Sequence, residues 1–187
     1  METKIDCIIG IDPGANGGLA VYIKDKSRMI LDVAKMPKDL SELRDFFGYY
    51  KENYNPIVFL EKLSVRPDDV TADSEGVRMG KLYRIQKLMA NYEHLKAILE
   101  TTGVPYVLVH PFSWQTKLKL REKGKYEEKA DRKRRYQRIA QANYPSVKVT
   151  LWNADAILIM HFGRYALANE MNWVKANLPQ TEQAKLF

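Results

Sequence analysis

Asp12, Glu61 and Asp155 are the residues whose positions in this chain suggest chemistry. Asp12 ends the apolar run at residues 7–11, and Glu61 ends the run at 57–60. Asp155 opens the run at 156–160 and, counted helically, shares a stripe with Leu158, Ile159, Phe162 and Ala166. A carboxylate heading a buried face is costly unless a cation meets it. Three converging carboxylates repel one another, and divalent cations resolve that repulsion. Mg2+ and Mn2+ are hard ions that favour carboxylate and water oxygens. Two such ions about 4 Å apart activate a water and stabilise the leaving oxygen of a phosphodiester. This chemistry needs acids and no nucleophilic Ser or Cys. Each acid also has a plainer reading. Asp12 before Pro13 and Gly14 could be a turn former. Glu61 beside Lys62 could be a surface ion pair, and Asp155 a helix N-terminal charge.

The elements that must position these acids follow from patterning. Residues 5–11 read as a buried strand, and 19–23 as a second strand paired to it through a turn at Gly14, Gly17 and Gly18. Residues 29–34 read as a third strand. Asp39 or Ser41 can cap a helix running to about Tyr54. Residues 57–60 form a short, wholly apolar strand. Residues 62–76 are polar and predict a mobile loop. A long helix follows over 77–102, stopped by Gly103 and Pro105. It carries two apolar stripes: Leu82, Ile85, Met89 and Tyr92, then Leu88, Leu95 and Leu99. One of them could face a partner subunit. Residues 104–109 predict a strand, 111–120 a short helix, 123–126 a loop, 128–143 a basic helix and 152–168 a final helix.

The expected class is α/β. Three antiparallel hairpin strands, then parallel crossovers, give a mixed five-stranded sheet with helices on both faces. That is the element order of the RNase H-like fold. In sheets with parallel crossovers, functional groups gather at the carboxyl ends of strands. Residues 1–170 are expected to form a single domain and 171–187 a polar tail.

The 187 residues carry 30 Lys and Arg against 23 Asp and Glu, a formal net charge of +7. That favours a polyanionic partner. Much of the excess lies in residues 121–138, where nine basic residues face four acidic ones. Lys129, Arg132, Lys133, Arg134, Arg135 and Arg138 populate one helix and are candidates for phosphate contacts. Lys117 and Lys119 could add contacts, as could Trp114, although core packing is the slightly favoured reading for that indole. Arg78, Lys81 and Arg84 on the long helix could grip a second strand or arm. The single cysteine, Cys7, lies in an apolar run, which fits a reducing, cytoplasmic compartment and excludes an internal disulfide framework. No run approaches the roughly 20 apolar residues that span a membrane, and no signal peptide is evident. His94, His110 and His161 are scattered and make no zinc pattern.

Residues 8–14, Ile-Ile-Gly-Ile-Asp-Pro-Gly, resemble the opening strand of RuvC-type Holliday junction resolvases, which carries their first catalytic Asp. Phe59-Leu60-Glu61 resembles the strand bearing their catalytic Glu. Asp155-Ala156 and the apolar helix behind resemble their last acidic motif. Met79-Gly80-Lys81-Leu82 is similar to the segment that follows the Glu strand. The match runs from Ile8 to about Phe162. The resemblance implies an Mg2+-dependent endonuclease, with Mn2+ substituting and two ions per active site. Asp12, Glu61 and Asp155 would be its ligands. It also implies a homodimer acting on a four-way DNA junction in recombination or repair. One departure stands out. Where that family has a second acid or a His, three residues before the last Asp, this chain has Trp152.

Other readings compete. An actin-like kinase or ATPase also opens with a strand, an Asp and a Gly-rich hairpin. It would need a second domain and a second Gly-rich phosphate loop, and neither is found in this sequence. A non-catalytic nucleic-acid-binding module would explain Trp152. A nuclease of the same fold could act on other branched DNA or on RNA–DNA hybrids.

Overall fold

The computed structural model describes residues 5–14, 16–24, 29–65, 75–121 and 127–179. Its five-stranded sheet has the order β3-β2-β1-β4-β5. β1 (Cys7–Asp12), β2 (Gly18–Lys24) and β3 (Met29–Lys35) are an antiparallel meander. β4 (Pro56–Glu61) runs parallel to β1, and β5 (Tyr106–Val109) runs parallel to β4. This is the expected mixed α/β sheet. β1 and β4 are central and covered on both faces, which is why each reads as a continuous apolar run rather than an alternating one.

Strand parity separates two cores. Ile8, Ile57 and Phe59 face one side, under α4 (Lys129–Asn143) and α5 (Ala154–Asn169). Cys7, Ile9, Ile11, Val58 and Leu60 face the other, under α1 (Leu40–Asn53) and α2 (Glu75–Thr102). Each fully buried Leu, Ile or Phe contributes roughly 1.5–3 kcal/mol through removal of apolar area from water. Asp39, not Ser41, caps α1: its Oδ1 accepts from the Ser41 amide at 2.8 Å and the Ser41 hydroxyl at 2.9 Å.

The two stripes of α2 are divided by length rather than by face. Tyr92, Leu95 and Leu99 in its second half are buried, whereas Val77, Met79, Leu82 and Tyr83 in its first half are exposed. Of the expected loop at 62–76, residues 66–74 lie outside the described residues, as does the whole of the loop expected at 123–126.

Met171–Asn177 corrects an expectation. Where a polar tail was expected, helix α6 docks on the domain, with Val174 and Leu178 buried and the Trp173 ring 5.4 Å from that of Phe162. The packed chain therefore extends past residue 170, and residues 180–187 lie outside the described residues. Among the described residues, no helix is long and apolar enough to cross a membrane.

A polar cluster ties the end of α4 to α5. Arg164 lies 4.0 Å from the Tyr22 ring centroid and donates to the Tyr144 hydroxyl at 2.9 Å. The Tyr144 hydroxyl and His161 Nδ1 are also hydrogen-bonded, at 2.8 Å. Burial first, then the Arg164 charge, hold His161 below its ordinary pKa. A depressed histidine stabilises the fold above its unfolded pKa, and that contribution is lost as pH falls from there through the lower folded pKa. Between pH 7.5 and 5 the wild type should therefore lose more thermal stability than His161→Gln. Parallel melting curves at both pH values check this, and equal losses would contradict it.

Candidate active site

Asp12 and Glu61 come together because of register and parity. Ile11 pairs with Leu60 in the parallel β1–β4 ladder, so the next residues, Asp12 and Glu61, stand side by side at the carboxyl ends. Asp12 has the parity of Ile8 and Gly10, and Glu61 that of Ile57 and Phe59. Both carboxylates therefore rise on the α5 side of the sheet.

Asp155 meets them from α5, and Gly10 permits the approach. A Cβ at Gly10 would lie 2.3 Å from the Met160 amide nitrogen and 2.4 Å from the Ala156 carbonyl oxygen. Only a residue without a side chain lets the helix backbone sit this close to β1. The first turn of α5, with Asp155, is then held over the carboxyl ends of β1 and β4. Gly17 does similar work in the turn after β1: a Cβ there would lie 2.1 Å from the Asp12 carbonyl oxygen. Gly14 donates its amide to Asp12 Oδ1 at 3.0 Å, fixing that side chain.

Glu61 is held by a residue far away in sequence. Trp114 Nε1 donates to Glu61 Oε1 at 3.0 Å. Trp114 is fully buried on α3 (Pro111–Lys117), edge-on to Tyr136 of α4 at 5.6 Å. Core packing, the favoured expectation for this indole, is correct, but its N–H also orients a carboxylate. Burial, and next Asp12, raise the Glu61 carboxyl to about 7, against the lowering effect of the Trp114 bond. Removing that donor should therefore make an ionised Glu61 harder to maintain. Trp114→Phe is expected to weaken divalent-ion binding roughly tenfold, the value of one hydrogen bond to a charged group. Calorimetric Mn2+ titration measures it, and an unchanged Kd would show that the bond has no such role.

Asp155 is 9% exposed, and burial raises its carboxyl above the ordinary range. Lys133 Nζ of α4 bonds Asp155 Oδ2. Asp155 Oδ1 is buried with no hydrogen-bond partner among the described residues. An unsatisfied oxygen of this kind costs about 1–3 kcal/mol. Three carboxylates from three elements, one with an unmet buried oxygen, fit a hard divalent cation. As they stand, no group of three or more His, Cys, Asp or Glu side chains among the described residues is placed to hold a metal ion. An ion would have to compete with Lys133 for Asp155.

Asn153, the acid-like neighbour of Trp152, is turned away from the site. It accepts from the Thr150 amide at 2.7 Å and donates to the Lys148 carbonyl at 3.2 Å. Trp152 itself lies against Gly18, the register partner of Asp12.

No family model and no curated protein matches the sequence. Solved structures do match the fold. One is "T. thermophilus RuvC in complex with Holliday junction substrate", at TM-score 0.52 and 14% identity over 88% of this chain and 96% of that one. Another is a Thermus thermophilus RuvC structure, at TM-score 0.50 and 14% identity, covering 87% of this chain and 95% of that one. The fold is RuvC-like.

Within this RuvC-like frame the candidate phosphate-binding residues separate into groups. Lys133 belongs to the carboxylate cluster, its Nζ bonded to Asp155. Arg135 is held by both Glu127 oxygens, at 2.8 and 2.6 Å, and by the Leu120 carbonyl, so it ties α4 to the preceding segment. Lys117 pairs with Glu170. Arg134 makes an exposed 3.5 Å contact with Asp131, and such a pair is worth little. Lys129 and Arg138 are exposed on α4, and Arg132 is half-buried on the side of Asp155. Lys119 follows α3 with a left-handed backbone, φ 56°. Lys81 and Arg84 line a groove of about 500 Å³ with Leu63, Val65, Ile85 and Leu88, while Arg78 is exposed one turn earlier on α2.

Proposed function

We propose that this chain is a divalent-metal-dependent endonuclease that nicks branched DNA, a four-way junction above all, as a homodimer. The convergence of Asp12, Glu61 and Asp155 at the carboxyl end of β1 and β4 carries the reading. A RuvC in complex with a Holliday junction substrate, among the structural neighbours, supports the choice of substrate.

Asp12, Glu61 and Asp155 would hold Mg2+ or Mn2+ through their oxygens. Bound there, the ions would supply an activated water and charge for the leaving oxygen. Gly14 and Trp114 fix the orientation of Asp12 and Glu61. Lys133 offsets the charge of Asp155 until a cation takes that role. Lys129, Arg132, Arg134 and Arg138 would contact backbone phosphates, giving salt-sensitive and sequence-independent affinity. Arg78, Lys81 and Arg84 would take a second arm. The exposed Val77, Met79, Leu82 and Tyr83 on α2 offer the apolar area that a second subunit would cover.

The test is a labelled four-way junction beside a matched linear duplex, incubated with Mg2+, Mn2+ or EDTA. Paired symmetric nicks on the junction alone, lost in EDTA, are the expected result. Cutting of both substrates would keep the nuclease and remove the junction selectivity. Junction binding without cleavage under any metal would overturn the catalytic reading.

A further inference from the structure

Among the described residues of α4, Lys133 is the cation hydrogen-bonded to an acid of the cluster. Its Nζ bonds Asp155 Oδ2, while Asp155 Oδ1 is buried without a hydrogen-bond partner among the described residues. Burial raises the Glu61 carboxyl first of all, and Lys133 is among the charges that act on it. Burial also leads at Asp155, with Lys133 next and opposing it. One ammonium therefore acts on two of the three acids.

The two ends of this bond are not equally free to move. Asp155 rides on α5, whose backbone is held close to β1 at Gly10, and its side chain is 12% exposed. α4 is tied to the segment before α5 just beyond Lys133. There Gln137 donates to the Val149 carbonyl at 2.9 Å, and Gln141 accepts from the Val149 amide at 3.0 Å. The Lys133 side chain is 30% exposed and ends in a compact charge on a flexible four-carbon stem. The ammonium can therefore swing outward while the carboxylate stays. Lys129, exposed one turn earlier on α4, shares its face of the helix.

Two anions then compete for Lys133: Asp155 and a phosphate arriving at Lys129. A divalent ion that takes Asp155 without DNA leaves Lys133 unpaired beside a double positive charge. A phosphate that draws off Lys133 without an ion leaves Asp155 with both oxygens unmet in a buried place. Breaking a buried pair by removing one partner is costly because the other charge is left uncompensated. Each ligand thus removes the cost that the other creates. Coupling of this kind is reciprocal, and typically amounts to roughly 5- to 150-fold in affinity.

We infer that Lys133 is a positioning residue that couples ion binding to DNA binding: it holds Asp155 in the free chain and passes to a DNA phosphate when a divalent ion enters. The inference rests on the nuclease reading above and deepens it. Ion and substrate then each tighten the binding of the other. The free chain loads ions more weakly than the chain on its substrate does.

The test is calorimetric titration of Ca2+, which favours the same oxygen ligands, into the full chain alone and into its complex with a four-way junction. Uptake by the junction alone is subtracted. Wild type is expected to bind the ion roughly tenfold more tightly in the complex. Lys133→Met keeps the stem and removes the charge. Without DNA it should bind the ion roughly tenfold more tightly than wild type, and it should gain less from the junction. Lys133→Arg keeps a cation and should behave as wild type does. Lys148→Gln removes one positive charge at an exposed position and should leave the affinity of the free chain unchanged, which separates the contact from net charge. A purely structural Lys133 predicts the opposite sign, weaker ion binding in Lys133→Met. That result would overturn the coupling and leave the nuclease standing. So would a wild-type affinity that the junction leaves unaltered, a measurement that needs no variant to fold. A wild type that binds no ion, with or without DNA, would remove the nuclease reading and the coupling with it.

Discussion

Asp12→Asn is expected to abolish junction cleavage while leaving junction binding intact or tighter. The amide keeps the size of the side chain and an oxygen for the Gly14 amide, so the turn after β1 should survive. What it removes is the negative charge at the centre of the cluster. Divalent-ion chemistry contributes several kcal/mol of transition-state stabilisation. A loss of about 4 kcal/mol corresponds to roughly a thousandfold fall in rate. Single-turnover cleavage and a gel shift on the same junction separate the two effects. A variant that cuts at more than a tenth of the wild-type rate would remove Asp12 from the chemistry. One that neither binds nor cuts would point to a structural role instead.

Gly10→Ala should be the most damaging small substitution for the fold. The added methyl would fall 2.3 Å from the Met160 amide nitrogen, 2.4 Å from the Ala156 carbonyl oxygen and 2.6 Å from Met160 Cβ. The nearest of these are backbone atoms of α5, so no rotamer change relieves the clash, and the helix must lift off β1. Overpacking of this kind costs about 3 kcal/mol or more. For a chain of this size that lowers Tm by roughly 10 °C. Asp155 rides on the displaced helix, so metal binding should weaken as well. Thermal unfolding with and without Mn2+ reads both effects. An unaltered Tm would mean that α5 does not approach β1 as described.

The carboxylates were legible in sequence because each interrupts an apolar run, and a strand ending in an acid is a local signal. The sheet followed from strand-forming runs in the right order, and parity then placed Asp12 and Glu61 on one face. The Trp114–Glu61 bond joins residues 53 apart and leaves no periodic trace. The only clue was that the short helix after β5 must start beside the end of β4. In sequence, Lys133 looks like its neighbours, because a run of cations is uniform. Its spacing to the buried Tyr136 and Ala140, three and seven residues on, marks it as the cation on the inner face of α4. The docking of α6 was also written locally: Met171, Val174 and Leu178 recur at helical intervals among polar residues that obscured them. The close approach of α5 to β1 required knowing which helix covers Gly10, and no single segment contains that information.

The central claim is that Asp12, Glu61 and Asp155 act together as one divalent-cation site. Calorimetric titration of Mn2+ into the wild-type chain and into a variant carrying Asp12→Asn, Glu61→Gln and Asp155→Asn tests it most directly. The account predicts saturable binding in the wild type that is absent from the folded triple variant. Equal binding by the two proteins, or none by the wild type, would contradict it.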